Sequence, residues 1–236
     1  MTERTYYAIG DVHGEAERLG VLHGYIFEDA QSLGVTPTIV HVGDYIDRGP
    51  DSRGVIAQIL SLDQRADVDT VSLMGNHEVL MLRAYDSTSL ERYATWSLNG
   101  GDETVASYKR ANGSADDWRN AVDAEHIAWL RTLPTIWRDE ARNITFVHGG
   151  IDPKTFPKCD PEIHMWTRSE KFFDTAQWPK RRQLDGLLVV HGHTPTRDQA
   201  PDVSEQRINI DTGVCYGGPL TCAVLAPREG PRFLRA

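Results

Sequence analysis

Five short blocks of Asp, Asn and His punctuate this 236-residue chain, each at the end of an apolar run. They are Gly10-Asp11-Val12-His13-Gly14, Gly43-Asp44-Tyr45-Ile46-Asp47-Arg48-Gly49, Gly75-Asn76-His77-Glu78, His148-Gly149-Gly150 and His191-Gly192-His193-Thr194. Carboxylate, amide and imidazole ligands gathered from several loops make one metal centre. Asp, Asn and His around two cations form a site for displacement at phosphorus. Asp11-x-His13 puts two ligands on one side of a turn, and its flanking glycines allow tight backbone geometry. Asp44 ends the next run in the same way. Its two oxygens make it the best candidate to bridge two cations, with Asn76, His148 and His193 filling the second. Mixed imidazole and carboxylate donors suit Mn, Fe or Zn better than Ca or an all-water Mg site. Any one of these residues alone reads equally well as a satisfied polar group or a helix cap; five such blocks in order do not.

Alternating elements must position the blocks. Tyr6–Ile9, 38–42 and 70–74 read as strands, and 15–32, 52–65 and 77–85 as the helices that follow. This spacing indicates α/β units with neighbouring parallel strands and ligands at their carboxyl ends. Residues 86–132 change character. They carry helix formers interrupted by Asn99-Gly100-Gly101 and Asn112-Gly113, and read as a helical insertion capping the site. Strand signals return at 134–138, 144–147, 187–190, 207–210 and 220–225, predicting a second, mixed or antiparallel sheet packed on the first. Segment 152–186, rich in Lys, Arg, Trp and Pro, reads as a long surface loop with short helices. The fold class expected is α/β: a two-sheet sandwich of mixed strands flanked by helices, forming one catalytic domain over residues 1–236.

The composition, 40% hydrophobic and 25% charged, is that of a globular protein. No apolar run approaches membrane-span length, and no secretory signal is read at the N-terminus. Cys159, Cys215 and Cys222 have neither disulfide nor zinc spacing and suit a reducing cytoplasm. A net charge of −9 disfavours nucleic acid as a partner, yet cations and a few arginines can make a local positive well for a phosphorylated substrate.

Together the motifs GDVHG, GDYIDRGPDS, GNHE, HGG and GHT resemble the metal-dependent phosphoprotein phosphatases, in their small bacterial and phage-type branch with a calcineurin-like metallophosphoesterase fold. Leu98-Asn99-Gly100-Gly101, Met165-Trp166-Thr167-Arg168 and Ile210-Asp211-Thr212-Gly213 support the likeness, which runs from about residue 5 to 225. It implies Asp11, His13 and Asp44 as ligands of a first metal, and Asp44, Asn76, His148 and His193 as ligands of a second, with manganese the leading choice and iron or zinc the alternatives. It further implies Arg48 and Arg168 as phosphate clamps, with Asn76 and His77 also at the phosphate. His77 resembles the general acid and Asp47 the carboxylate that orients it. The implied reaction is direct attack by a metal-bridged hydroxide.

The activity expected is phosphomonoester hydrolysis on Ser/Thr-phosphorylated proteins or peptides, extending to Tyr or His. The alternative is hydrolysis of a dinucleoside polyphosphate such as diadenosine tetraphosphate. Dinucleotide hydrolases on this scaffold often replace the Asp of the DRG motif and end the third block in Asp; this chain has Asp47 and Glu78. A non-catalytic, metal-stabilised binding module would be expected to lack a ligand or the His77/Asp47 pair, and all are present. Neither nucleic acid nor membrane is expected as a partner. His191, His23, His41, His126 and His164 read as structural, the six tryptophans as packing, and Lys180-Arg181-Arg182 as a solvated cluster. Asp211 reads equally as support for the site or as a turn residue.

Overall fold

A computed structural model describes residues 4–236. The first sheet has strand order β10-β9-β1-β2-β3, and the second β4-β5-β6-β8-β7. In the first, β1 (Tyr6–Ile9), β2 (Thr38–His41) and β3 (Asp69–Ser72) are parallel, while β9 (Thr221–Leu225) and β10 (Arg232–Arg235) complete it antiparallel. In the second, β5 (Ile144–Val147), β6 (Leu188–His191) and β8 (Arg207–Asn209) are parallel, with β4 (Ile136–Asp139) and β7 (Asp202–Val203) antiparallel at the edges.

Side chains alternate between the two faces of each strand. Tyr6 and Ala8 of β1, Val40 of β2, and Ala223 and Leu225 of β9 point between the sheets. There they meet Ile144, Phe146, Val190 and Ile208. Tyr7, Ile9, Ile39, Cys222 and Val224 point the other way, into a cluster with Leu19, Leu22 and Ile26 of α1 (Ala16–Leu33) and Val55, Ile56 and Ile59 of α2 (Ser52–Asp63). A sheet covered on both faces reads as an uninterrupted apolar run, which is why its central strands are visible in sequence. α1 stops at Gly34, whose left-handed φ of 66° lets its N–H reach back to the last turn.

Two expectations need correction, and two strands were not anticipated. Residues 220–225 pair with β1, so β9 belongs to the first sheet and not the second. The two-residue β7 and the C-terminal β10 carry too little apolar alternation to announce themselves. Segment 152–186 is more than a surface loop. It holds the short helices α7 (Pro161–Trp166) and α8 (Glu170–Phe173), and it buries Phe156, Phe172, Trp178 and Leu184 against Val147 and Val189. It therefore covers the outer face of the second sheet as α1 and α2 cover the first.

The insertion is helical as expected. After α3 (Asn76–Tyr85) come α4 (Leu90–Trp96), a wide turn over Ser97–Gly101, α5 (Asp102–Asn112) and α6 (Ala124–Leu130). Among the described residues no helix is long and apolar enough to cross a membrane.

Candidate metal centre

Parallel pairing in each sheet brings strand carboxyl ends to one edge, and the site lies where the two edges meet. The loops are stitched to one another by their backbones. Val12 and His13 donate N–H bonds to the Asp44 carbonyl (3.0 and 2.9 Å), and Gly14 to that of Tyr45 (2.8 Å). On the other sheet Gly192 donates to the His148 carbonyl (2.9 Å). Two glycines permit close approaches to the ligand carboxylates. A Cβ on Gly75 would strike the Asp44 amide and carboxylate, and one on Gly192 would strike the Asp11 carboxylate. His13, Asp44, Asp47, Arg48 and His193 all hold positive φ, between 44° and 72°. Such backbone costs of order 1–3 kcal/mol per residue and is retained where surrounding structure over-determines it.

Asp44 is the hub. Among the described residues, its carboxylate groups with His13 and His77 on one side and with His148 and His193 on the other, all of them buried. Asp44 Oδ2 lies 3.3 Å from His148 Nε2, 3.7 Å from His13 Nε2 and 4.0 Å from His77 Nε2. Asn76 Oδ1 lies 3.0 Å, and His193 Nδ1 3.2 Å, from His148 Nε2. Asp11 stands outside these tight groups. Its carboxylate accepts the His193 N–H (3.1 and 3.0 Å) and so joins the two sheets.

The donor set fits divalent cations. His148 Nδ1 faces the Val42 carbonyl (3.1 Å) and His13 Nδ1 that of Ile46 (2.9 Å). A carbonyl only accepts, so each Nδ1 carries the proton and each Nε2 offers its lone pair to the site. This is how metal-ligating imidazoles are oriented. Burial drives His13 down to about 3 and His193 to about 2, keeping both neutral. Burial, with Asp211 and Asp44 nearby, pushes Asp11 well above the usual carboxylate range. Burial works the same way on Asp44, but His148 and His77 outweigh it and hold that carboxylate well below its ordinary value. The neutral rings of His13 and His193 beside mutually repelling carboxylates at one buried point make a site that positive charge stabilises.

The acid pair is built from far apart in the chain. His77 Nδ1 bonds Asp47 Oδ2 at 2.7 Å. Asp47 is fully buried and also accepts from Trp96 Nε1 (3.0 and 2.9 Å) and Thr104 Oγ1 (2.7 Å) of the insertion. Burial opposes a proton on His77, but Asp44 and Asp47 prevail and raise its pKa. Arg48 reaches over this half, 2.9 Å from His13 Nε2 and 3.0 Å from His77 Nε2. Arg168 reaches over the other, its Nε 3.2 Å from His193 Nε2.

His191 turns away from the site. Its Nε2 meets Arg207 at 3.2 Å, and its ring packs on Phe172 and Phe173. Asp211 does both things its position allows. It accepts the Gly213 N–H (3.0 Å) in a turn, and it is buried close enough to Asp44 to be pushed up to about 6, burial being the larger cause.

Sequence reasoning missed Glu78. Its carboxylate accepts the N–H groups of Asp44 (2.9 Å), Tyr45 (2.8 Å) and Gly75 (3.0 Å), stapling the second and third blocks together. A Glu at the third position of a helix is a capping signal that could have revealed it. Trp96 is packed, as expected of an insertion tryptophan, but it also positions Asp47. No local signal marks that contact, which spans 49 residues.

Residues 5–230 match the family described as Calcineurin-like phosphoesterase. The chain belongs to that family. It is 30% identical to Serine/threonine-protein phosphatase 1 of Salmonella typhimurium, over 93% of this chain and 91% of that one. It is 26% identical to the asymmetrical Bis(5'-nucleosyl)-tetraphosphatase PrpE of Anoxybacillus flavithermus, over 92% and 88%. Most of the similar curated relatives bear tetraphosphatase names, of both the asymmetrical and the symmetrical kind. Among solved structures, the cold-active protein-tyrosine phosphatase of a psychrophilic Shewanella superposes with a TM-score of 0.64 at 19% identity, over 98% of this chain and 80% of that one, a likeness of fold. The chain is a metallophosphoesterase.

Proposed function

We propose that this metallophosphoesterase hydrolyses dinucleoside polyphosphates, with diadenosine tetraphosphate as the representative substrate. The observation that carries the reading is the prevalence of bis(5'-nucleosyl)-tetraphosphatases among relatives matched over nearly the whole chain. Asp11, His13, Asp44, Asn76, His148 and His193 would hold two divalent cations. Their mixed carboxylate, amide and imidazole character supports Mn, with Fe or Zn as alternatives. When bound, such cations polarise phosphoryl oxygens and acidify a water. Arg48 and Arg168 grip the phosphoryl oxygens from opposite sides and stabilise the charge that spreads over them. His77 gives a proton from Nε2 to the departing oxygen while Asp47 holds its Nδ1–H.

A phosphoprotein reading has its own support. The Asp47–His77 pair suits a serine or threonine alkoxide, which needs a proton to leave, and the Salmonella phosphatase is 30% identical. Glu78 adds nothing to that side, because its carboxylate is occupied by backbone N–H groups. The test is kcat/KM for diadenosine tetraphosphate and for a phosphoserine peptide under one metal and one pH. A higher value for the dinucleotide is expected, and a clear preference for the peptide would reverse the assignment.

A further inference from the structure

A groove of about 590 Å³ opens between α3 and α4, lined by Leu80, Arg83, Ser89, Glu91, Arg92 and Thr95. We propose that it is the subsite for the leaving group's polyphosphate, with Arg83 and Arg92 as its anion-binding residues; this rests on the dinucleotide reading.

Both walls lie close to the acid pair. α3 starts with Asn76 and His77, and Leu80 follows His77 by three residues, so this wall begins about one helical turn beyond the proton donor. Thr95 of the facing wall immediately precedes Trp96, which bonds Asp47. Asn99 in turn donates to the Thr95 carbonyl, and Gly100 packs on the Arg48 side chain. The leaving group departs on the side of the group that protonates it. A groove about one turn beyond His77 is placed to receive the rest of that group.

The groove's length and charge indicate what would occupy it. His77 to Arg83 is six residues of helix, about 9 Å. A chain of phosphates spans that distance, as a peptide also would, and the charge of the lining favours the phosphates. In a chain of net charge −9, the lining carries two guanidiniums against one carboxylate, that of Glu91. The Arg92 guanidinium has no hydrogen-bond or ionic partner among the described residues. Arg83 pairs with Glu162 at 2.7 Å, with both side chains about half exposed. An exposed pair of this kind is worth little and readily exchanges for phosphate. The volume is within the range of small-ligand sites.

The test uses the metal-loaded full chain and the variants Arg92→Glu and Arg83→Gln, neither of which alters the metal or acid residues. Five quantities are measured at fixed free metal: kcat/KM for diadenosine tetraphosphate, for an aryl phosphate and for an acidic phosphopeptide, and the Ki of ADP and of inorganic phosphate against aryl-phosphate hydrolysis. In Arg92→Glu the Ki of ADP should rise, and kcat/KM for the dinucleotide fall, by roughly 10–100-fold, the scale of one charged hydrogen bond. Arg83→Gln should act in the same direction more weakly. Aryl-phosphate turnover and inhibition by inorganic phosphate should hold, which also shows that the variants fold. An unchanged Ki for ADP overturns the subsite. So does a loss confined to an acidic phosphopeptide, which would make this a peptide groove. If the wild-type protein prefers the phosphopeptide, the dinucleotide reading fails by itself, and the ADP measurement still decides the groove.

Discussion

His13 lies in the loop after β1 of the first sheet and His148 directly after β5 of the second, and the two are locked alike, each through an Nδ1–H bond to a backbone carbonyl. Their surroundings differ. On the His148 side the fixed points are backbone: the Val42 carbonyl, and the His193 N–H on Asp11. Beside His13, the Asp47–His77 pair is held instead by side chains, those of Trp96 and Thr104, which lie 49 and 57 residues from Asp47. The ligand half is thus fixed by strand pairing and tight turns. The acid half depends on an insertion that a variant can disturb without moving a strand.

The largest expected effect falls on the residue common to both halves. Asp44→Ala should lose both cations and essentially all activity, as a strong chelator should do to the native protein. His193→Ala should lose one cation, and His191→Ala none, because His191 faces Arg207 and Phe172. Metal analysis of the three variants checks this. Loss of metal in His191→Ala would break the division between the halves.

The next effect is confined to the acid half. His77→Asn should slow turnover of a phosphoserine peptide by roughly 10²–10⁴-fold, the scale of general acid catalysis. It should slow an aryl phosphate far less, since a good leaving group needs little protonation. Trp96→Phe removes the indole donor to Asp47 and should show the same substrate dependence more weakly. Metal content should stay at the native value in both. A Trp96→Phe protein that sheds metal would mean the insertion supports both halves.

Legibility in the sequence follows the same division. Most of the metal-ligand candidates could be named because they follow β1, β2, β5 or β6, and a strand buried on both faces is a strong pattern; β3, before Asn76, is only half-buried and announces itself less. The positioning groups could not. Trp96 and Thr104 carry no motif, and their role depends on how a helical insertion folds back over Asp47. Arg168 lies just after the six-residue α7, within a segment whose burial of Phe156, Phe172 and Trp178 has no simple period. β9 was visible as a strand but not as a member of the first sheet, because antiparallel return to β1 is a matter of topology. Glu78 was in plain view and went unassigned, since its partners are backbone N–H groups that no residue type reveals.

Glu78 also offers a finer cut through the comparison. Glu78→Gln keeps the size but turns an amide NH₂ either toward the N–H of Tyr45, which faces Oε1, or toward those of Asp44 and Gly75, which face Oε2. The Asp44 turn should loosen, lowering metal affinity by about 10–100-fold, as loss of a group orienting a ligand commonly does. Titration of apo protein with Mn(II) measures it. Unchanged affinity would mean the glycine turns alone hold Asp44.

The smallest effect lies outside both halves and serves as their control. His23 of α1 bonds His41 of β2, Nε2 to Nε2 at 3.2 Å, with both rings buried and, among the described residues, no carboxylate shifting either one. His13 and His193 of the site are kept neutral by burial and have lone pairs a cation can use. This pair is kept neutral by burial with nothing in exchange. Burial, assisted by Arg65, lowers His23 to about 4. The unfolded chain therefore takes up a proton near pH 6.5 while the folded one still refuses it. The stability this group contributes is full above about pH 6.5, declines as the pH falls, and is gone below about 4. The linkage amounts to roughly 3 kcal/mol at most. His23→Phe, examined by urea unfolding at pH 7.5 and pH 5, should lose less stability between the two than the native protein does. Activity at pH 7.5 should be unchanged. Parallel pH dependences in the two proteins would show that His23 is not what makes the native fold sensitive to acid.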